Sequence, residues 1–226
     1  MNKVKEALKS FKPHKSPGND GIKPILLHTL PDRAMEEIKT IYQECLITGE
    51  IPTTWQQAKV VFIPKPGKDD YTDPGSFRPI SLTSFFLKGL ERIVLWYIEK
   101  ETGQKNLWSK NVYAYRQKRS TETALHHAIH HIEKAYNDKD HVIAAFLDVN
   151  GAFNNTNVTA LVSSLKNTGV NNGIIKWVEA MLVKRTAIAI TGDSSAEKLL
   201  TRGTPQGGVL SPVLFNLIMN NLVKEF

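Results

Sequence analysis

Asp148 is the single charged residue in an otherwise apolar run from Val142 to Val149. A run of that length, ended by Gly151, reads as a buried strand with the aspartate near its C-terminal end. Burying a carboxylate is costly unless something pairs with it. A hard divalent cation such as magnesium is one fitting partner, because it prefers carboxylate oxygens. A partly exposed strand end, or a cap for the next helix, is the plainer role. Lys65 and Arg78 flank a charged loop, Pro66 to Gly75, that separates two strand-like segments, Val60 to Ile63 and Phe77 to Leu82. Such a hairpin brings the two cations near each other. There they can neutralise a triphosphate, the arginine bidentately, or stand as ordinary surface charges. The glycines of Gly203-Thr204-Pro205-Gln206-Gly207-Gly208 permit close backbone approach to a ligand, or simply form a tight turn into a helix.

Two further stretches carry chemistry. From Gly103 to Thr121 there is no acidic residue, while Lys105, Lys110, Arg116, Lys118 and Arg119 alternate with Trp108, Tyr113 and Tyr115. Cations meet phosphates and rings meet bases or sugars, so this composition suits a nucleic-acid strand. It equally suits a solvated loop whose aromatics anchor the core. His126, His127, His130 and His131 follow at helical spacing. With no Glu or Cys placed between them, a histidine-rich helix surface is a better reading than a zinc site.

The elements that must position these residues follow from periodicity and punctuation. Helices are expected over Val4 to Phe11, Asp32 to Thr48, Leu82 to Glu101, Thr121 to Asn137, Val158 to Asn167 and Gly173 to Lys184. The second is read as capped by Asp32, with Ala34, Ile38, Ile41 and Cys45 inward. The third presents Phe86, Leu90, Ile93, Val94 and Tyr97. Thr186 to Thr191 and Glu197 to Arg202 pair as a hairpin across Gly192-Asp193. Ser211 is a good N-cap and Pro212 suits the first helical position of a last helix running to about Glu225. Asn154 is also a good N-cap.

Several of these strings resemble blocks of reverse transcriptases, above all those of insect-type non-LTR retrotransposons. Lys15-Ser-Pro-Gly-Asn-Asp-Gly-Ile22 is similar to the block that opens the fingers. Ile63-Pro-Lys65-Pro-Gly-Lys68 with Arg78-Pro-Ile-Ser-Leu82 is similar to the next block of the fingers. Tyr115-Arg116 with Arg119-Ser-Thr121 resembles the block lining the template path. Phe146-Leu-Asp148 with Ala152-Phe153 resembles the metal-binding strand of the palm. Gly203-Thr-Pro-Gln-Gly-Gly-Val-Leu-Ser-Pro212 matches its block almost unchanged. The resemblance implies that Asp148 is catalytic and binds metal. It assigns the incoming nucleotide to Lys65, Arg78, Phe153, Gln206 and Gly207, with Phe153 excluding ribose. It assigns the template to Tyr115, Arg116, Lys118 and Arg119. Lys88 with Glu91-Arg92 matches a pattern that mostly supports structure. Asn154 departs from the family, which usually has an aspartate after the aromatic residue.

The resemblance implies an α/β (α+β) fold: right-hand polymerase fingers over residues 1–140 and an incomplete palm over 141–226. The implied function is RNA-directed DNA polymerisation in a non-LTR element, with Mg2+, an RNA template, a DNA primer and deoxynucleoside triphosphates. The alternative is a catalytically inactive nucleic-acid-binding relic. No aromatic-Ala-Asp-Asp block follows Gln206, so one carboxylate, Asp148, is expected where two-metal transfer needs more. The 226 residues carry a net charge of +7 and 41% hydrophobic residues, which suits a packed core and a polyanionic partner. A single cysteine, Cys45, excludes an intramolecular disulfide and a cysteine-based zinc cage in this chain. No apolar run reaches the length of about 18 residues that a spanning helix needs, and no membrane partner is expected. The N-terminal residues lack a signal-peptide core, and an intracellular site, nucleus or cytoplasm, is expected.

Overall fold

The computed structural model describes residues 2–105 and 107–224. In chain order the elements are α1 (Asn2–Lys9), α2 (Pro24–His28), α3 (Asp32–Thr48), α4 (Thr53–Gln56), β1 (Gln57–Pro64), β2 (Phe77–Leu82), α5 (Phe85–Gln104), α6 (Thr121–Asn137), α7 (Val158–Asn167), α8 (Asn172–Val183), β3 (Arg185–Thr191), β4 (Ser194–Leu200) and α9 (Ser211–Lys224). The expected end of the last helix, Glu225, lies outside the described residues. Among those described, no helix is long and apolar enough to cross a membrane.

One four-stranded sheet, ordered β2-β1-β3-β4, carries both hairpins. β1 and β2 are antiparallel, with Ile63 opposite Arg78 and Pro64 opposite Phe77. β3 and β4 are antiparallel about the Gly192 turn, with Thr191 opposite Ser194. The two hairpins join through a parallel pairing of β1 with β3, from Gln57 opposite Thr186 to Val60 opposite Ala189. Both expected hairpins form, but the return strand of the second is Ser194–Leu200 and not Glu197 to Arg202, because pairing starts directly after the tight Gly192-Asp193 turn. Their junction, which crosses residue 140, was not foreseen, because local periodicity does not encode which strands meet.

The core lies under the helices. Leu90 and Ile98 of α5, Leu161 and Leu165 of α7, Trp177 and Leu182 of α8, and Leu214 of α9 are fully buried. α5 is buried on more of its surface than one stripe: Phe85, Leu87, Leu90, Val94 and Ile98 are all inside, while Phe86, Ile93 and Tyr97 are half-buried. Its start is also later than expected, since Ser84 caps it by accepting from the Phe86 amide. In α3 the buried face is Met35, Ile38, Tyr42 and Cys45, with Ile41 outside. The Tyr42 hydroxyl sets that rotation by donating to the Phe86 carbonyl at 2.6 Å. Asp32 is not a side-chain cap. Pro31 occupies that position and Asp32 stands in the first turn, where a negative charge suits the helix dipole.

The largest departure concerns residues 142–149. They form no strand, and Ile143, Phe146 and Leu147 are 97%, 95% and 87% exposed. An apolar run has the propensity for a strand, but a strand exists only where a neighbour takes its backbone groups and another layer covers its face. Neither is supplied among the described residues. α6 is likewise helical without burying a side chain, held locally by the Ser120–Thr123 capping box.

A buried cation ties the sheet to its neighbours. Arg185, 4% exposed, donates to the Leu182 carbonyl at 3.1 Å, the Arg202 carbonyl at 3.0 Å and the Gly203 carbonyl at 2.6 Å. Arg185→Met keeps the bulk and strands three carbonyls, so stability to urea should fall by about 3 kcal/mol or more. A loss under about 1 kcal/mol would show these bonds to be dispensable.

Candidate functional site

Lys65, Arg78, Phe153 and Gln206 line one cleft of about 300 Å³, together with Phe77, Pro79 and the turn from Asn150 to Asn154. Each arrives from a different segment. Lys65 follows β1; its amide donates to the Ser76 carbonyl at 2.8 Å and its ammonium to the Gly75 carbonyl at 2.8 Å. Arg78 is on β2, opposite Ile63, and exposed. The hairpin therefore sets the two cations at one end of a ladder, and the loop between them is braced by Asp73, which accepts from the Gly75 amide.

Phe153 sits in the tight turn after the exposed run. The Asn155 amide donates to the Gly151 carbonyl at 2.8 Å, and Gly151 takes a φ of 64° with Asn155 packed where a side chain would be. Two further bonds fasten this turn: Thr204 donates to the Phe153 carbonyl at 2.7 Å and Gly203 to the Thr156 carbonyl at 2.8 Å. The Phe153 ring packs 5.6 Å from the Phe215 ring of α9. Asn154 caps no helix. It lines the cleft, and Asn157 caps α7 instead, accepting from Thr159 and Ala160.

Gln206 is fixed by its backbone, whose carbonyl accepts from the Ser81 amide at 2.8 Å. Gly207 has a φ of 118°, and a Cβ there would meet the Ser81 carbonyl at 2.7 Å. Both facts require glycine. Ser211 does not cap α9; its hydroxyl donates to the Pro205 carbonyl at 2.7 Å. The amides at the helix start are met by a residue 118 and 119 positions away. Glu91 of α5, fully buried, accepts through Oε2 from Val209 at 2.6 Å and Leu210 at 2.9 Å.

Burial pushes the Glu91 carboxyl above the ordinary glutamate range, against the pull of the two amides and of the nearby charges of Lys88 and Arg185. Burial also pulls Arg185 down to about 10, with Glu91 opposing, and lowers Lys88. Sequence reasoning placed Glu91 only as structural support and missed Arg185. A charge flanked by Leu90 and Ile93 on a core helix was the available signal for the first.

Asp148 is exposed and is not among the residues lining the cleft, and no hydrogen bond or ion pair among the described residues involves its carboxylate. The cleft lining contains no carboxylate. Among the described residues no three His, Cys, Asp or Glu side chains converge on a possible metal position. The residues in place thus do not fit a two-metal clamp.

The basic stretch forms a second cleft of about 350 Å³, lined by Trp108, Tyr115, Arg116 and Gln117 among others. Its arginines are partly occupied. Arg116 donates to the Ser109 carbonyl at 2.8 Å and the Val112 carbonyl at 3.1 Å, and lies 5.7 Å over the Trp108 ring. Arg119 lies 4.8 Å over the Tyr113 ring. Lys118 is exposed. Of the four histidines, His127 and His131 meet at 3.3 Å between ring nitrogens, but both remain on the exposed surface of α6.

Comparison with known proteins bears on this arrangement. Residues 63–226 match the model of the family described as reverse transcriptase (RNA-dependent DNA polymerase). The chain belongs to the reverse transcriptase family. It is 30% identical, over 98% of its length, to the probable RNA-directed DNA polymerase from transposon BS of Drosophila melanogaster. It is 27% identical over 98% of its length to that of the mobile element jockey from the same organism. It covers 24% of each of those proteins. These relatives show a reverse transcriptase domain of the non-LTR retrotransposon kind. A partial Cas6-RT-Cas1–Cas2 complex matches in fold with a TM-score of 0.51, at 18% identity, over 99% of this chain and 33% of that one. The mixed α/β fold is thus that of a polymerase of this family, and the family uses divalent metal generally.

The buried glutamate makes stability depend on pH. Its folded pKa is raised, so above about pH 4.3, where unfolded glutamate ionises, the unfolded chain binds fewer protons than the folded one. The Glu91 contribution is therefore complete below that pH and is lost as pH rises toward the folded value. Glu91→Gln removes this titration and should show a flatter decline of Tm from pH 4.5 upward than wild type. Parallel wild-type and variant curves in thermal melts would show that Glu91 does not titrate differently on folding.

Proposed function

We propose that this chain is the part of a non-LTR RNA-directed DNA polymerase that holds the incoming deoxynucleoside triphosphate and the template. The observation that carries the reading is the convergence of Lys65, Arg78, Phe153 and Gln206, from four distant segments, on one cleft. Lys65 and Arg78 meet the triphosphate, Phe153 lies under the sugar where a 2′ hydroxyl would stand, and Gln206 with Gly207 approaches the nucleotide base and template. The whole enzyme joins the primer 3′ oxygen to the α-phosphorus of the deoxynucleotide, while the bond from that phosphorus to the bridging oxygen breaks and pyrophosphate leaves. Asp148, exposed and outside the cleft lining here, would be this chain's carboxylate toward Mg2+ if its segment were brought to the cleft. A second reading, nucleic-acid and nucleotide binding without turnover, is favoured for the chain by itself by the absence of any carboxylate from the cleft lining.

Titration of the 226-residue chain with deoxythymidine triphosphate tests the cleft. Lys65→Ala and Arg78→Ala should each weaken binding about tenfold, the scale of one charge-assisted contact. Phe153→Ala should narrow the gap between the deoxy- and ribonucleotide. Affinity indifferent to both cation substitutions would sink the assignment.

The basic stretch should bind RNA with a Kd of roughly 10⁻⁴ to 10⁻⁶ M near physiological salt, weakening steeply as salt rises. Lys118→Ala with Arg119→Ala should reduce both affinity and salt slope. Arg116→Ala should instead lower Tm, because its guanidinium is spent on the Ser109 and Val112 carbonyls. Filter binding across a salt series checks this; RNA affinity insensitive to the Lys118 and Arg119 pair would refute it.

A further inference from the structure

We infer that Glu91 is a positioning residue for the Gln206–Gly208 turn, acting from the core helix through the backbone amides of Val209 and Leu210. The inference rests on the proposed reading of Gln206 and Gly207 as nucleotide contacts. The first amides of a helix have no partner within it. α9 opens with Leu214 donating to the Leu210 carbonyl, so Leu210 is its capping residue and Val209 precedes it. The hydroxyl that could serve them, that of Ser211, is spent on Pro205. Leu210 is fully buried, where water cannot replace a missing acceptor. Glu91 Oε2 meets both amides.

The two amides lie directly after Gly207-Gly208. The turn is thus held at three places. Its Gln206 carbonyl accepts from Ser81, its Gly208 amide donates to Pro205 at 2.9 Å, and its exit is held by Glu91. The first two anchors are backbone to backbone. The third is a side chain, so it can be withdrawn by substitution without touching the backbone of the turn or of its neighbours. Gly208 records the same fit: a Cβ there would stand 2.9 Å from Ser211 Oγ and 3.2 Å from Glu91 Oε2.

A purely electrostatic role is the competing account, with Glu91 present to balance the buried Lys88 and Arg185. The two accounts part at glutamine, which keeps the accepting oxygen and loses the charge. The experiment compares the 226-residue wild type with Glu91→Gln and Glu91→Ala by amide hydrogen exchange, and titrates each with deoxythymidine triphosphate. In Glu91→Ala, exchange at Val209 and Leu210 should quicken at least tenfold and nucleotide affinity should fall at least tenfold, while the Trp177 indole resonance stays in place. Glu91→Gln should match wild type within about twofold on both readouts. Should Glu91→Ala not fold, Glu91→Asp withdraws the oxygen by one methylene and takes its place in the comparison. Glutamine behaving like alanine would establish the electrostatic account instead. Unchanged exchange at the two amides, or faster exchange with unchanged nucleotide affinity, would also overturn the positioning role. If wild type itself binds no nucleotide, the functional reading fails, and the exchange comparison still decides whether Glu91 holds the turn.

Discussion

A fully buried carboxylate with two backbone amides against one oxygen is the contact on which the site's geometry depends. Glu91 sits in the N-terminal half of α5, and α5 is in turn fixed by Tyr42 and by the packing of α1. Its oxygen fixes the start of α9, and the start of α9 fixes the glycine turn that reaches the cleft. Glu91 is an expensive way to hold a loop, since burial works against its charge. It is effective for the same reason: in a dry site nothing else competes for the two donors.

The same economy of buried polar groups recurs at Arg185. Its guanidinium serves the end of α8 and both carbonyls at the entry to the loop from Arg202 to Gly203. Gly203 in turn holds Thr156, and Thr204 holds Phe153. The segment from Arg202 to Leu210 is therefore fastened to α8, to the Phe153 turn, to β2 and to α5. A cleft whose walls come from four segments can be open to solvent and still have a defined shape, because its backbone bonds run behind it into the core.

Much of this was legible in the sequence, for local reasons. The β1–β2 hairpin, α6, α7 and the β3–β4 hairpin follow from alternation, caps and turn residues acting over a few positions. The rotation of α3 was read one residue off because Ile41 and Tyr42 compete for the same face, and a hydrogen bond to α5 decides between them. The parallel joining of β1 to β3 and the reach of Glu91 to Val209 span more than a hundred residues, and no periodicity encodes them. Of the expected nucleotide residues, Lys65, Arg78, Phe153 and Gln206 do come to one cleft. Arg116 illustrates the opposite limit: a cation in an acid-free stretch looks free on paper, yet two backbone carbonyls take its donors.

Asp148 and Phe153 are five positions apart and differ completely in how they are held. From Gly151 onward the chain is bonded to its own turn and to Gly203 and Thr204, so Phe153 has a fixed place whatever precedes it. From His141 to Val149 no such bond exists among the described residues, and Phe146 and Leu147 present their side chains to solvent. Strand formation at residues 142–149 needs a partner for the backbone and a cover for the apolar face at once, because either alone leaves the other cost unmet. The cleft lined by Lys65, Arg78, Phe153 and Gln206 is organised by hydrogen bonds among the described residues. Asp148 lies in the exposed segment that those bonds do not hold. The boundary between the unheld segment and the held turn falls between Val149 and Gly151.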